Sequence, residues 1–126
     1  MATAPFRINQ TGWNPIILPI IRQVEDHPAF YPLSDVDEAK KILIGAPPFT
    51  YILWKDEQNR RYYLSFMNTL LDVEHRFFTQ DVGSWSYQNG DPHKIPTIEL
   101  LIPVIMHCSQ KQCLMRRNPL RNNYSH

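Results

Sequence analysis

The sequence predicts an α+β fold in which a central antiparallel β-sheet is flanked by two α-helices. Three observations support this. A helical pattern at 34–43 (SDVDEAKKIL) comes first, several short β-rich segments follow between 49 and 87, and a second helical pattern occupies 97–107. At 126 residues, without an internal repeat, the chain is expected to form one domain.

The first helix has clear signals at both ends. Ser34 or Asp35 suits the N-cap, acidic residues fill the first turn, and two lysines lie in the last turn, which complements the helix dipole. The apolar positions follow helical spacing, and Gly45 is expected to end the helix.

Four segments are predicted to be strands. Residues 49–54 are β-branched and aromatic, 61–67 and 72–78 follow after short turns, and 83–87 is a candidate fourth strand. Residues 88–92 (QNGDP) are typical of a turn.

The second helix is predicted over 97–107, with Thr97 as its cap. Pro103 is difficult to place there, because an internal proline removes a hydrogen bond at a cost of about 3 kcal/mol. We expect a kink or an early end at this residue, and then a short strand before the chain frays.

Both chain ends are expected to lie outside the domain proper. Residues 1–28 form a partly docked N-terminal arm, because four prolines limit helix formation while several large apolar side chains need a packing surface. The domain itself is expected at 29–115, and 116–126 are expected to form a flexible C-terminal tail.

Composition excludes some partners. Thirteen basic and twelve acidic residues give a net charge of +1, so the overall charge of the protein does not favour nucleic-acid binding. No apolar stretch is long enough for membrane insertion. Two cysteines suggest free thiols and a cytoplasmic location, which would be a host cytosol if the protein is a secreted effector.

The sequence shows no known catalytic or cofactor-binding motif. We find no nucleophile elbow, phosphate-binding loop or metal-ligand spacing, so we expect no catalytic residue, no metal and no cofactor. The sequence therefore favours a binding protein over an enzyme.

Several landmarks resemble the SH2 domain over roughly 29–115. Glu38-Ala39 matches the pattern of the family's first helix, Leu64-Ser65 ends the second strand as in the family, and Val73-Glu74-His75 matches V-x-H on the third strand. The second helix follows the family's pattern of an aromatic residue, Ser-Leu, Leu-Val and a closing aromatic, and its places are filled here by the following residues: Ile95, Thr97, Ile98, Leu101, Ile102 and Ile105. The resemblance implies a phosphotyrosine-recognition module used in signalling as an adaptor.

The resemblance also identifies a departure. In SH2 domains the first central strand carries Phe-Leu-Val-Arg, and the arginine forks two hydrogen bonds to phosphate. The aligned residues here end in Trp54, which has one N–H donor and no charge. Val36 replaces a second arginine, and Asp56 stands where a small hydroxyl residue is usual.

Other side chains could hold phosphate in a rebuilt pocket, with the indole as its floor. The expected phosphopeptide-binding residues are Trp54, Lys55, Arg60, Arg61, His75 and Arg76. Five of the six also have a simpler reading: Lys55, Arg60 and Arg61 as part of a solvated turn, His75 as a core histidine, and Trp54 as a filler of the pocket.

The resemblance further implies a specificity groove for the peptide residues after phosphotyrosine. Its walls would be Phe78, Tyr87, His93 and Ile95, although apolar residues there are core by default. We expect an SH2-like protein-interaction module that recognises phosphotyrosine peptides through an atypical pocket. The alternative is an SH2-like scaffold that binds a protein partner independently of phosphate.

Overall fold

A computed structural model describes residues 23–81, 84–89 and 91–122. The α-helices with both ends in this part of the chain are α1 (Val36–Leu43), α2 (Ile98–Met106) and the short α3 (Pro119–Asn122). The backbone is also helical at 23–25, and Gln110–Gln112 form a 3-10 helix. The strands are β1 (Thr50–Asp56), β2 (Arg61–Met67), β3 (Val73–Asp81), β4 (Ser84–Asn89), β5 (Asp91–Ile95) and β6 (Leu114–Met115).

The described strands form one six-stranded mixed sheet in the order β5-β4-β3-β2-β1-β6. Strands β1 to β5 pair antiparallel with their neighbours, whereas β6 pairs parallel with β1. The expectation of a purely antiparallel sheet is therefore corrected, because the chain crosses over through α2 before it returns beside β1. Phe30 adds a second parallel contact to β1, at Leu53.

One helix packs on each face of the sheet, as the sequence predicts. The side chains of β1 and β2 alternate between the faces. On the α1 face, Ile52 and Trp54 pack with Ala39 and Leu43. On the α2 face the larger core joins strands and helix, and it includes Tyr51, Leu53, Tyr62, Leu64, Phe66, Phe78, Trp85, Leu101 and Ile105.

The predicted signals of α1 are present. Asp35 is the N-cap, and its carboxylate accepts a hydrogen bond from the Glu38 backbone N–H at 3.0 Å. Two residues past the last helical position, Gly45 has a φ of 82°, a conformation that glycine adopts without strain. The helix is thus fixed by local sequence at both ends.

Strand β5 is a correction to the predicted turn at 88–92. Strand β4 extends to Asn89, and β5 begins at Asp91 and contains Pro92. A proline cannot donate to a neighbouring strand, but β5 is an edge strand, where that donor is not needed. The turn-forming residues of 88–92 therefore predicted a five-residue turn, whereas most of them belong to the two strands of a hairpin.

Helix α2 does not end early at Pro103. Thr97 caps it as predicted, since its hydroxyl accepts from the Leu100 backbone N–H at 3.3 Å, and the helix continues through Pro103 to Met106. His107 then adopts a left-handed conformation with a φ of 55° and ends the helix. The apolar packing of α2 outweighs the local cost of the proline.

The described residues near the two ends of the chain pack against the domain, and the two segments also contact each other. Val24 and Ala29 are fully buried, whereas residues 1–22 of the expected arm lie outside the described residues. The Asn118 amide donates to the Phe30 carbonyl at 3.0 Å, and the Asn118 backbone N–H donates to the Pro28 carbonyl at 2.8 Å. Within the expected C-terminal tail, the Arg116 backbone N–H also donates to the Tyr51 carbonyl of β1 at 3.0 Å, and the Tyr31 hydroxyl donates to the Arg117 carbonyl at 2.7 Å.

Candidate functional site

Trp54 lies inside the domain, on the α1 face of β1. Its side chain is only 2% exposed, and it packs with Tyr31, Ile52 and the apolar side of α1. Strand alternation accounts for this direction, because Ile52 and Trp54 are two residues apart and share a face. The indole therefore fills the space between the sheet and the helix.

A chain of hydrogen bonds starts at the Trp54 indole. Its Nε1 donates to Ser65 Oγ at 2.9 Å, and Ser65 Oγ lies 2.7 Å from His75 Nδ1. Ser65 is fully buried on β2, and His75 is half-buried on β3, directly opposite it in the sheet register. These two hydrogen bonds give partners to polar atoms that would otherwise be buried without one.

The environment of His75 favours its neutral form. Burial, and then the Lys40 ammonium, lower the pKa of His75 below its usual value, while Asp37 acts in the opposite direction. In the neutral ring, Nδ1 can accept a hydrogen bond from the Ser65 hydroxyl. His75 thus serves the interior hydrogen-bond chain, which matches its reading as a core histidine.

A stack of aromatic and cationic groups continues outward from Trp54. Tyr63, its partner in the strand register, stacks on the indole at 4.6 Å with an interplanar angle of 10°. The Arg61 guanidinium lies 4.3 Å from the Phe77 ring centroid and 5.3 Å from that of Tyr63. Its Nη2 also donates to the Tyr63 hydroxyl at 2.8 Å.

Arg61 has an acidic neighbour. Its Nε lies 3.8 Å from Asp56 Oδ2, is buried, and forms no hydrogen bond within the described structure. Hydrogen bonds from Asn59 and the Arg61 charge lower the pKa of Asp56, so this carboxylate is ionised at neutral pH. A second anion placed at Arg61 would meet the negative charge of Asp56.

Lys55 and Arg76 lie on the opposite face of the sheet. The Lys55 ammonium is 3.6 Å from a Glu25 carboxylate oxygen and 5.7 Å from the Tyr62 ring centroid. Arg76 pairs with Glu74 at 2.7 Å. The sheet therefore separates these two cations from Trp54, Arg61 and His75.

Arg60 stands apart in the turn between β1 and β2. Its side chain is exposed, and its backbone has a φ of 54°. Of the five predicted cations, the structure thus brings only Arg61 and His75 to the face that carries Trp54. The five do not converge on one anion site.

The predicted specificity groove is largely core. Phe78 and Tyr87 are buried and belong to the α2-face cluster, where Phe78 lies edge-on to Trp85 at 5.4 Å. Ile95 is half-buried against the same cluster. The His93 side chain lies outside the described residues.

An open cavity of about 640 Å³ lies between α1 and the turn after β2. Its apolar lining includes Ile44 and Leu71, both largely exposed, and Val73 and His75 of β3 also line it. We call this cavity the α1 groove. Leu70 and Leu71 follow β2 in a turn that Asn68 closes by accepting from the Leu70 and Asp72 backbone N–H groups, each at 2.9 Å.

Sequence reasoning missed three residues of this site: Tyr63, Ser65 and Phe77. The signal was present, because a short loop between β1 and β2 fixes the register that pairs Trp54 with Tyr63, and alternation then places Ser65 on the same face. Phe77 follows in the same way from the pairing of β2 with β3.

Other kinds of site receive no support from the described residues. They contain no group of three or more histidine, cysteine, aspartate or glutamate side chains that could hold a metal ion. None of the helices assigned there has the length and apolar character needed to cross a membrane.

No protein-family model matches the sequence, and no curated protein matches it significantly.

Proposed function

We propose that this chain is an SH2-like protein-interaction module that binds a partner protein independently of phosphotyrosine. The sequence landmarks and the placement of one helix on each face of the sheet support the SH2-like part of the proposal. The observation that carries the phosphate-independent part is the position of Trp54. A side chain that is 2% exposed and hydrogen-bonded in the interior cannot bind a ligand without opening the domain.

Charge supports the same conclusion. Phosphate recognition at such sites depends on charge-assisted bonds from a planar guanidinium, and truncating a buried charged partner costs about 2–5 kcal/mol of binding. Lys55 and Arg76 face the other side of the sheet and are already paired with carboxylates. Asp56 adds repulsion next to Arg61.

The α1 groove is the surface we assign to the partner. It is lined by apolar side chains, and Leu71 on its rim is 66% exposed, so contact with an apolar segment of another protein would remove this surface from water. Lys40, Asp37 and Asp72 also line the groove, so it carries charges of both signs and the apolar contact is the main source of affinity.

The test is a comparison of matched peptides. A degenerate tyrosine-containing library and its phosphorylated twin are titrated against the protein at two salt concentrations. We expect detectable binding with the same affinity for both libraries. Binding only to the phosphorylated library would overturn the proposal.

A pair of variants then locates the surface. Leu71→Asp should weaken binding of the unphosphorylated peptides at least tenfold, because it places a charge on the rim of the α1 groove. Leu120→Asp is the matched control, since Leu120 is 65% exposed and does not line the groove. Equal effects of the two substitutions would mean that the partner binds elsewhere.

A second candidate function is phosphotyrosine recognition by a rebuilt site. One observation favours it: Arg61 lies on the Trp54 face between two aromatic rings, and its Nε, although close to Asp56, makes no hydrogen bond among the described residues. In that case phosphorylated peptides bind more tightly, and Arg61→Ala removes most of the difference, whereas Arg60→Asn does not.

A further inference from the structure

Two cysteines face each other across the turn that joins α2 to β6. Cys108 follows His107, which ends α2, and Cys113 directly precedes β6. Both thiols are free, and their sulfur atoms are 3.6 Å apart. Because the sulfur atoms of a disulfide are about 2.05 Å apart, this pair needs to approach by only about 1.5 Å to form one.

Hydrogen bonds within the turn hold the cysteines in this arrangement. The Cys108 backbone N–H donates to the Pro103 carbonyl at 3.2 Å, which attaches Cys108 to the last turn of α2. Further along, the Gln112 side-chain Oε1 accepts from the Ser109 backbone N–H at 2.9 Å, and the Gln112 backbone N–H donates to the Ser109 carbonyl at 3.0 Å. The folded turn therefore positions the two sulfur atoms, whereas a flexible chain of the same length would bring them together only at an entropic cost.

A reagent in solution can approach the pair. Both cysteines are half-buried at the edge of the α2-face core, and residues 109–112 between them are exposed. Cys113 also lines an open cavity of about 270 Å³, together with Tyr51 and Pro103. The pair is thus positioned by the fold without being sealed inside it.

We propose that Cys108 and Cys113 form a reversible disulfide by exchange with a low-molecular-weight disulfide of the glutathione type. The Cys108 thiolate attacks one sulfur of the glutathione disulfide, which forms a mixed disulfide and releases one glutathione. The Cys113 thiol then gives up its proton and attacks the Cys108 sulfur, so that the bond within the protein forms and the second glutathione leaves. Two electrons pass from the protein to the oxidant, and the two thiol protons end on the two released glutathiones.

The environment of Cys113 assigns it the second step. Burial, and then the contact with Cys108, raise the pKa of Cys113 to about 12. Its thiol also donates to the Ser109 carbonyl at 3.5 Å, an acceptor that favours the protonated sulfur. Cys113 is therefore the resolving thiol. It ionises more easily once Cys108 carries glutathione, because the neighbouring sulfur then bears no charge.

The bridge would secure the last strand of the sheet. Strand β6 contains only two residues, and backbone N–H groups hold this segment on β1: Leu114 donates to the Phe49 carbonyl at 2.9 Å, and Arg116 donates to the Tyr51 carbonyl at 3.0 Å. A covalent bond between the two cysteines ties this edge strand to the end of α2, which limits its separation from β1. The inference does not depend on the proposed function, because it is argued from contacts within the crossover alone.

Equilibration in glutathione buffers tests the proposal on the full chain. The protein is incubated without oxygen at several ratios of reduced to oxidised glutathione, quenched with acid, and analysed by mass spectrometry for the loss of two hydrogen atoms. We expect the equilibrium constant for forming the bridge to be at least tenfold larger in the folded protein than in the same protein in concentrated urea, which corresponds to about 1.4 kcal/mol. Equal constants, a stable mixed disulfide as the end product, or a disulfide-linked dimer would overturn the proposal.

A pair of variants tests the role of the turn. Gln112→Ala removes the acceptor of the Ser109 N–H and should lower the equilibrium constant of the folded protein several-fold. Lys111→Ala is the matched control, because it changes an exposed neighbour in the same turn and should leave the constant unchanged. The same effect from both substitutions would contradict positioning by this hydrogen bond.

Amide hydrogen exchange tests the consequence for β6. The Leu114 and Arg116 amides should exchange several-fold more slowly in the oxidised protein than in the reduced protein. The Leu71 amide, which donates to the Asn68 carbonyl at 3.1 Å in the turn after β2, should exchange at the same rate in both forms. Unchanged rates at Leu114 and Arg116 would show that the bridge does not secure the strand.

Discussion

The indole Nε1 of Trp54 donates a 2.9 Å hydrogen bond to Ser65 Oγ, and this contact joins the two central strands on the α1 face. Both groups are buried away from water, so each depends on the other for its hydrogen bond. An arginine at position 54 would instead introduce a charge into this interior. The tryptophan is thus part of the packed core between the sheet and α1.

Removing the indole N–H should destabilise the protein. Trp54→Phe leaves Ser65 without its donor, and we expect the free energy of unfolding to fall by about 1–2 kcal/mol from the lost hydrogen bond, with a further loss from the unfilled volume. Urea denaturation measures this. In a cycle with Ser65→Ala, the two losses should be non-additive by at least about 0.5 kcal/mol. Simple additivity would show that the contact contributes nothing of its own.

The hydrogen-bond chain should make stability depend on pH. The pKa of His75 is lowered in the folded state, so the unfolded chain, with a histidine pKa of about 6.5, binds more protons in the range between the two values. The contribution of His75 is complete above that unfolded value and is lost as the pH falls through the folded one. Stability should therefore rise with pH across this window.

Unfolding titrations between pH 4 and pH 8 on His75→Gln test the origin of that dependence. The variant should flatten the curve. His107→Asn is the matched control, because asparagine tolerates the left-handed conformation at position 107. If both variants flatten the curve equally, or neither does, His75 is not the responsible group.

The two adjacent arginines should differ in their effect on stability. Arg61→Ala removes a guanidinium that lies over Phe77 and donates to Tyr63, and we expect a loss of about 1–2 kcal/mol in the free energy of unfolding. Arg60→Asn, at an exposed position with positive φ, should change stability by less than about 0.5 kcal/mol. Equal losses measured by thermal denaturation would contradict the stacked arrangement of Arg61.

The Cys113 thiol should react slowly with alkylating agents. Cys108 and Cys113 have their sulfur atoms 3.6 Å apart, and burial, followed by the contact with Cys108, raises the pKa of Cys113 to about 12. At pH 8 we expect iodoacetamide to label Cys113 much more slowly than it labels glutathione. Mass spectrometry measures the rate, and Cys108→Ser should increase it. A rate equal to that of glutathione would show that Cys113 is not shielded.

Local signals in the sequence determined several elements without help from packing. Helix α1 begins after Asp35 and ends at Leu43, where capping and glycine signals predicted, and β2 spans 61–67 as expected. These elements depend on hydrogen bonds and alternation within a few residues, which a sequence displays. The predicted sheet with one helix on each face follows from the order of those elements.

Lys55 and Arg76 were expected beside Trp54, but both lie on the other face of the sheet. Lys55 directly follows Trp54 in β1, so alternation along the strand already places it there. The direction of Arg76 depends in addition on the register between β2 and β3. Strand β5 was missed because Pro92 is acceptable only at a sheet edge, and a sequence does not say which strand is the edge.

By itself the sequence determined that position 54 carries a tryptophan at the end of an apolar strand segment, and that helices and strands follow in this order. Tertiary structure alone decided what that tryptophan does, because its burial and its bond to Ser65 need a strand and a helix brought from elsewhere in the chain. Local hydrogen bonding is encoded residue by residue, whereas the environment of a side chain is set by partners distant in sequence.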